Sequence, residues 1–321
     1  MDTLANNQIE IAVSRHGAEL TSIKKNGTEY LWQGDPEFWN RQSPVLFPIV
    51  GSVWDGRYRA EGREFTLGQH GFARDMEFEL VEKTPVSLTY SLTSDENTLK
   101  LYPWRFRLTI TYTIDGPKLK VAWKVTNLDS RTMWFQIGAH PAFYYPHFNP
   151  SEHRHGYFSF KAAEGCNPLE FKCSKLATKG CVEPGATYTL TLPENGLMEL
   201  AADTFDDVDT FVMENSQLDE VTLHCPDGTA WLRVSFMAPS ASARQTYRKG
   251  ENGPGGTKVQ LGAPVVGLWS PPHQNAPFVC IEPWCGRCDR AGYEGDFSGR
   301  DWVNSLEPGE NFETEYSIEI L

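Results

Sequence analysis

Phe106 to Val125 reads FRLTITYTIDGPKLKVAWKV. Phe106, Leu108, Ile110, Tyr112 and Ile114 alternate with polar or positively charged neighbours, and after Asp115-Gly116 the alternation resumes in Leu119, Val121, Trp123 and Val125. A period of two sets one row of side chains on a single sheet face, and Asp-Gly supplies the positive-φ turn of a hairpin. The stretch therefore predicts two long antiparallel strands with an apolar face toward a core.

The same grammar recurs on either side of it. Glu19 to Trp32 folds about Asn26-Gly27, Arg57 to Leu67 about Glu61-Gly62, and Val221 to Phe236 about Asp227-Gly228. Tyr188 to Leu192, Val265 to Trp269 and Tyr316 to Ile320 add short strands. Helical periodicity is scarce: Ala241 to Lys249 and Asp301 to Leu306 are each predicted to hold a turn or two. A chain of hairpins joined by long irregular connections argues for an all-β protein, two antiparallel sheets packed as a large β-sandwich. No internal repeat or Pro/Ser-rich linker interrupts it. Gly250 to Gly256 (GENGPGG) reads as a surface loop, because strand-like sequence continues on both sides. Residues 1–321 are thus read as a single domain.

The chain has 321 residues, enough to bury a core without disulfides or metal, and a formal net charge of −13. Such an acidic surface repels nucleic-acid phosphates and anionic headgroups. No apolar run approaches the length of a membrane span, and the N-terminal stretch lacks a basic start followed by an apolar segment. Seven irregularly spaced cysteines fit reduced thiols in the cytoplasm better than a secreted disulfide framework. Asn26-Gly27-Thr28 is then a turn rather than a glycosylation site.

Strand grammar gives way to chemically capable residues in a few places. Gln69-His70-Gly71-Phe72-Ala73-Arg74-Asp75 sets a histidine and an arginine around a glycine directly after a strand. The glycine permits close approach of backbone and ligand, and an arginine can fork onto vicinal hydroxyls or an anion; a loop held by its own hydrogen bonds is the structural alternative. In Ile137-Gly138-Ala139-His140-Pro141-Ala142-Phe143 an apolar strand runs into a histidine followed by proline. Proline cannot donate to a ladder, so His140 is predicted to stand at a sheet rim, either structural or available for acid–base work. In Phe278-Val279-Cys280-Ile281-Glu282-Pro283-Trp284 a carboxylate is embedded in an apolar strand. That is costly unless Glu282 has a partner such as Arg287 or a chemical task. Asp206-Asp207-Val208-Asp209 precedes the apolar Thr210-Phe211-Val212, as sugar ligands or as an acidic turn. Cys285-x-x-Cys288 is a lone pair with no second pair at zinc-ribbon spacing, and nothing in the spacing selects Cys280 or Cys225 as further ligands. Of the ten tryptophans, Trp32, Trp39, Trp269 and Trp284 lie near these segments and could stack under a sugar ring.

Taken in order, these motifs resemble the aldose 1-epimerase (galactose mutarotase-like) superfamily, most closely its LacX-like branch. The likeness runs nearly end to end. It takes in Gly17-Ala18-Glu19-Leu20-Thr21-Ser22-Ile23, Glu29-Tyr30-Leu31-Trp32-Gln33-Gly34-Asp35 and Pro44-Val45-Leu46-Phe47-Pro48-Ile49-Val50-Gly51. The QHGFARD, GAHPAF and FVCIEPW stretches follow, then Leu306-Glu307-Pro308-Gly309-Glu310. The resemblance implies a supersandwich of antiparallel sheets and interconversion of the α and β anomers of a free hexose. It implies Glu282 as the base on the anomeric hydroxyl and His140 as the acid on the ring oxygen. His70 and Arg74 match substrate-binding positions. Asp209 fits the substrate-binding aspartate best, with Asp206 and Asp207 left open.

Opening a pyranose needs a proton removed from the C1 hydroxyl while another reaches the ring oxygen. Rotation about C1–C2 then presents the other aldehyde face, and closure runs the transfers backward. The chemistry calls for no metal and no cofactor, in keeping with a sequence lacking nucleotide-binding fingerprints. Three rivals remain at this stage: a glycoside hydrolase pairing Glu282 with one of the three aspartates, a sugar-binding module without turnover, and a hexose-6-phosphate mutarotase using Arg41 and Arg57.

Overall fold

The two strands read from Phe106 to Val125 lie near one end of the larger of two main sheets. The computed structural model describes residues 1–236 and 256–321, together with the backbone of 246–248. Phe106–Asp115 and Lys118–Asn127 pair antiparallel from Phe106↔Asn127 to Asp115↔Lys118. Every second residue of Phe106–Asp115 is buried, as the alternation requires. The turn sits one residue later than Asp-Gly suggests: Asp115 closes the ladder, and Gly116 (φ +56°) with Pro117 makes the reversal. The hairpins at Asn26-Gly27 and Glu61-Gly62 turn where predicted, with positive φ at both central residues.

The larger sheet runs in the order Leu197–Ala201, Arg154–Ala162, Leu218–His224, Ala230–Ser235, Asn311–Ile320, Lys118–Asn127, Phe106–Asp115, Ser87–Thr93, Glu79–Lys83, antiparallel along this path, with Thr257–Val259 added parallel to Asn311–Ile320. The second main sheet runs Val182–Thr191, Glu170–Leu176, Thr210–Glu214, Val265–Trp269, Phe278–Cys285, Ile137–Ala139, Val45–Leu46. One apolar cluster spans both, joining Phe106, Leu108 and Ile110 to Phe47, Phe135 and Ile281. The large β-sandwich of antiparallel sheets expected from the sequence is the fold observed.

Two expectations are corrected. Asp301 to Leu306 is not helical. Trp302 has φ +57°, which breaks a right-handed helix, and Asn304–Leu306 is a strand paired with Met133–Phe135. Within 241–249, Thr246–Arg248 pairs with Thr257–Val259 and is extended rather than helical. The rest of that segment, and all but the last residue of the Gly250 to Gly256 loop, lie outside the described residues. Among the described residues no helix is long and apolar enough to cross a membrane.

Phe278–Cys285 is buried along its whole length, because strands flank it on both sides. On one flank its partner is broken in two: Ile137–Ala139 pairs near Cys285 and Ala142–Tyr144 pairs near Cys280. His140 and Pro141 fill the gap. Proline does end the strand, but the break lies inside the sheet and not at its rim, and it falls beside Glu282.

Candidate active site

Glu282, His140, His70, Arg74 and Asp209 all line one cleft of about 410 Å³, within the roughly 300–1,000 Å³ common for small-molecule sites. Four separate stretches of chain bring them there, His70 and Arg74 sharing one.

Glu282 comes from the buried strand, its side chain 1% exposed, and His140 from the gap beside it. Nε2 of His140 stands 3.2 Å from Oε2 of Glu282. The two atoms meet without hydrogen-bond alignment, and Oε2 of Glu282 and Nδ1 of His140 make no well-formed hydrogen bond. Arg74 Nε, 3.9 Å from an Asp75 carboxylate oxygen, and Trp284 Nε1, which acts on the Glu282 carboxylate, are buried without a well-formed hydrogen bond as well, on residues that also line the cleft. Buried polar atoms are nearly always satisfied, so a concentration of orphans marks a place built for a polar ligand.

The His140 ring is walled in. Trp39 lies over it at 4.7 Å and 30°, while Trp269 and His70 meet it nearly edge-on at 5.4 and 5.5 Å. Burial pushes His140 down to about 3, with the positive charges of Arg74 and Arg41 acting in the same direction. Burial drives Glu282 well above the usual carboxylate range, and the charge of Asp209 adds to the rise. Both charged forms are disfavoured, so the pair favours a net-neutral state.

His70 sits on a backbone that few residues adopt, with φ +66°, followed by Gly71 at +72°. A Cβ on Gly71 would lie 2.2 Å from the carbonyl oxygen of Phe47, so only glycine lets the chain lie this close. There the Phe47 carbonyl accepts from the amides of Phe72 and Ala73 at 3.1 and 3.2 Å. The Gly51 amide donates to Nδ1 of His70 at 3.1 Å, which places the ring proton on Nε2. Burial holds His70 well below its usual value and the cation of Arg74 reinforces this, so the ring stays neutral. Arg74 donates from Nη2 to the Gln69 carbonyl at 2.7 Å. Burial lowers it only to about 10, so it remains a cation at neutral pH. Gly17, from the first motif, packs under Arg74: a Cβ there would come within 2.7 Å of the Arg74 carbonyl oxygen.

Asp209 has φ +58° and stands just before the Thr210–Glu214 strand. Of the three aspartates left open by the sequence, it alone lines the cleft. Asp206 is engaged elsewhere, accepting the His273 amide at 2.7 Å.

A model of the aldose 1-epimerase family matches residues 2–164. Protein LacX of Lactococcus lactis is 32% identical over 329 aligned residues, 99% of this chain and 98% of LacX. The chain belongs to the aldose 1-epimerase family. Its fold is shared by a galactose mutarotase related enzyme from Lactobacillus acidophilus, 30% identical, with a TM-score of 0.84 over 100% of this chain and 97% of that one. A galactose mutarotase-like protein from Lactobacillus casei, 26% identical over the full length of both chains, gives 0.83. This membership supports a general epimerase or mutarotase function with a sugar as substrate.

For an aldose epimerase relative, the bystanders are as informative as the lining. Arg287 does not pair with Glu282; it is held by Glu214 and Asp301. Arg57 pairs with Asp55 and Glu64 outside the cleft, and Arg41 is tied to Asp75 at 2.8 Å. Trp32 lies beneath the site, stacked on Phe278 at 4.5 Å, while Trp39, Trp269 and Trp284 line the cleft. Cys285 and Cys288 are free, buried thiols. Leu176, Gly180, Thr210 and Pro272 also line the cleft. Nothing in their local sequence signals it, since their positions depend on how distant strands pair.

Proposed function

We propose that the protein is an aldose 1-epimerase acting on a free, unphosphorylated hexose, with Glu282 and His140 moving the protons. The observation that carries this is the buried contact between His140 Nε2 and Glu282 Oε2 at 3.2 Å, on the wall of a cleft that also holds Arg74, His70 and Asp209.

A buried carboxylate–imidazole pair that shares one proton suits ring opening. Without a sugar in the cleft, burial keeps the shared proton on Glu282; once it passes to His140, the Glu282 carboxylate accepts from the C1 hydroxyl while the imidazolium donates to the ring oxygen. Afterwards Glu282 holds the proton and His140 is neutral, so the net charge of the pair never changes. Closure on the other aldehyde face returns both protons. Each hand-over therefore avoids leaving a lone charge in a dry site. His70, as an Nε2–H donor, and the Arg74 cation are placed to donate to the oxygens of sugar hydroxyls, and Asp209 to accept from hydroxyl O–H groups.

Two observations favour a neutral hexose. Arg57 is remote and paired, and Arg41 is held by Asp75 and does not line the cleft. The group touching Glu282 is an imidazole and not a second carboxylate, which favours proton transfer on a free sugar over glycoside cleavage.

Polarimetry of freshly dissolved α-D-glucose and α-D-galactose tests the reading. Acceleration by the wild-type protein that Glu282→Gln abolishes supports it. A protein that binds either sugar without changing its rate of optical rotation would be a binding module instead, and release of sugar from glycosides would make it a hydrolase.

A further inference from the structure

Beneath the pair lies a third side chain that anomer interconversion does not use. Cys280 is two residues before Glu282 on the same strand, so both project to one side of it. The thiol is fully buried, with Trp32, Ala142 and Phe278 in the same packed cluster. One ligand atom from each of His140, Cys280 and Glu282 falls within 4.8 Å of the other two.

We propose that these three side chains form a site for a thiophilic divalent cation, Zn²⁺ above all, which locks the His140–Glu282 pair when it binds. Two atoms bound at about 2.0 Å to one tetrahedral ion stand about 3.3 Å apart. His140 Nε2 and Glu282 Oε2 are already 3.2 Å apart, close to that separation. Oε2 of Glu282 makes no well-formed hydrogen bond although the side chain is 1% exposed, so it is available as a ligand. The Cys280 sulfur needs a shift of about an ångström to complete a bond of about 2.3 Å.

The donor set selects the metal. Thiolate with imidazole favours zinc over magnesium or calcium, which take oxygen ligands. Binding releases the thiol proton and the proton shared by the pair to solvent. The site then holds a thiolate, a carboxylate and a neutral imidazole around a dication, with no net charge left buried. The cleft side leaves a fourth position open to water. An ion seated there occupies both proton-transferring groups, so the site is inhibitory and separate from the proposed reaction, which needs no metal. It rests on binding geometry and not on the protein being an epimerase.

The test is titration of the intact protein with zinc chloride by calorimetry in a non-chelating buffer, with cobalt chloride as the optical probe. One zinc per chain is the expected stoichiometry, and both Cys280→Ser and Glu282→Gln should weaken binding tenfold or more. Cobalt should give a thiolate-to-metal charge-transfer band in the near ultraviolet that Cys280→Ser removes and Cys288→Ser keeps. Unchanged zinc affinity in folded Glu282→Gln overturns the site however well Cys280→Ser folds. So does a cobalt band that disappears with Cys288→Ser and persists with Cys280→Ser.

Discussion

The Gly51 amide and Nδ1 of His70 are joined by a hydrogen bond of 3.1 Å, and this one contact decides which ring nitrogen can meet a sugar. With Nδ1 accepting, Nε2 carries the proton. Burial and the neighbouring Arg74 cation keep the ring from taking a second one. ¹⁵N NMR should therefore find His70 in the Nε2–H form with no titration between about pH 5 and 8. A protonation step in that window, or an Nδ1–H signal, would refute the assignment. His70→Ala removes a donor worth about 1–3 kcal/mol to a bound hydroxyl, so kcat/KM should fall roughly ten- to hundredfold.

Glu282→Gln should cost roughly 10²–10⁴-fold in kcat, the usual contribution of a positioned acid or base. Sugar affinity should stay near the wild-type value, since the amide keeps the shape and part of the hydrogen bonding. A variant that loses affinity and keeps its turnover would assign Glu282 to binding alone.

The same variant has an opposite effect on stability. The folded-state pKa of Glu282 is raised above its unfolded value by burial. From about pH 4.5 upward the folded state thus holds a proton that the unfolded chain has released, and stability falls as pH rises through that window. Gln carries no such burden. Glu282→Gln should melt higher than wild type at neutral pH, with the gap widening from about pH 5 to pH 8. Equal melting temperatures across that range would mean the carboxylate is not strained by its burial.

Gly71→Ala probes the platform under His70. The new methyl would meet the Phe47 carbonyl at 2.2 Å on a backbone with φ +72°. A loss of about 1–3 kcal/mol of stability should follow, together with loss of activity as His70 shifts. A variant that melts and turns over like wild type would show that this approach is looser than drawn.

How much of this was legible depends on what each residue's position relies on. The hairpins at Asn26-Gly27 and Glu61-Gly62 are local, because two adjacent positive-φ residues fix the turn wherever the chain goes. Glu282 stands out because a carboxylate in an apolar strand needs a reason, and the structure sets its Oε2 against the His140 imidazole at 3.2 Å. The site of the break at His140-Pro141 was visible, but not its depth. Only the pairing of both flanking strands with Phe278–Cys285 puts it inside the sheet. Asp301 to Leu306 reads locally as a helical turn because the strand character of Asn304–Leu306 comes from Met133–Phe135, far away in sequence. The three aspartates could not be separated for the same reason. Asp206 is claimed by His273, 67 residues on.

That claim gives the last prediction. The Asp206 carboxylate accepts the His273 amide at 2.7 Å and approaches its Nδ1 at 3.2 Å. It thereby ties the turn that carries Asp209 to the loop that carries Pro272, and both residues line the cleft. Asp206→Ala frees the two together and should raise KM several-fold with kcat little changed, the loss of a bond worth about 0.5–1.5 kcal/mol. Asp206→Asn still accepts the amide through its carbonyl oxygen and should restore most of the affinity. His273→Ala keeps the backbone donor and should do less harm than Asp206→Ala. Asp209→Ala removes the lining group itself and should exceed both, whereas Asp207→Ala, exposed and outside the cleft, should behave as wild type. If Asp206→Ala and Asp207→Ala prove alike in KM, the tie holds nothing that the sugar feels. Asp209 would then owe its place to its own turn.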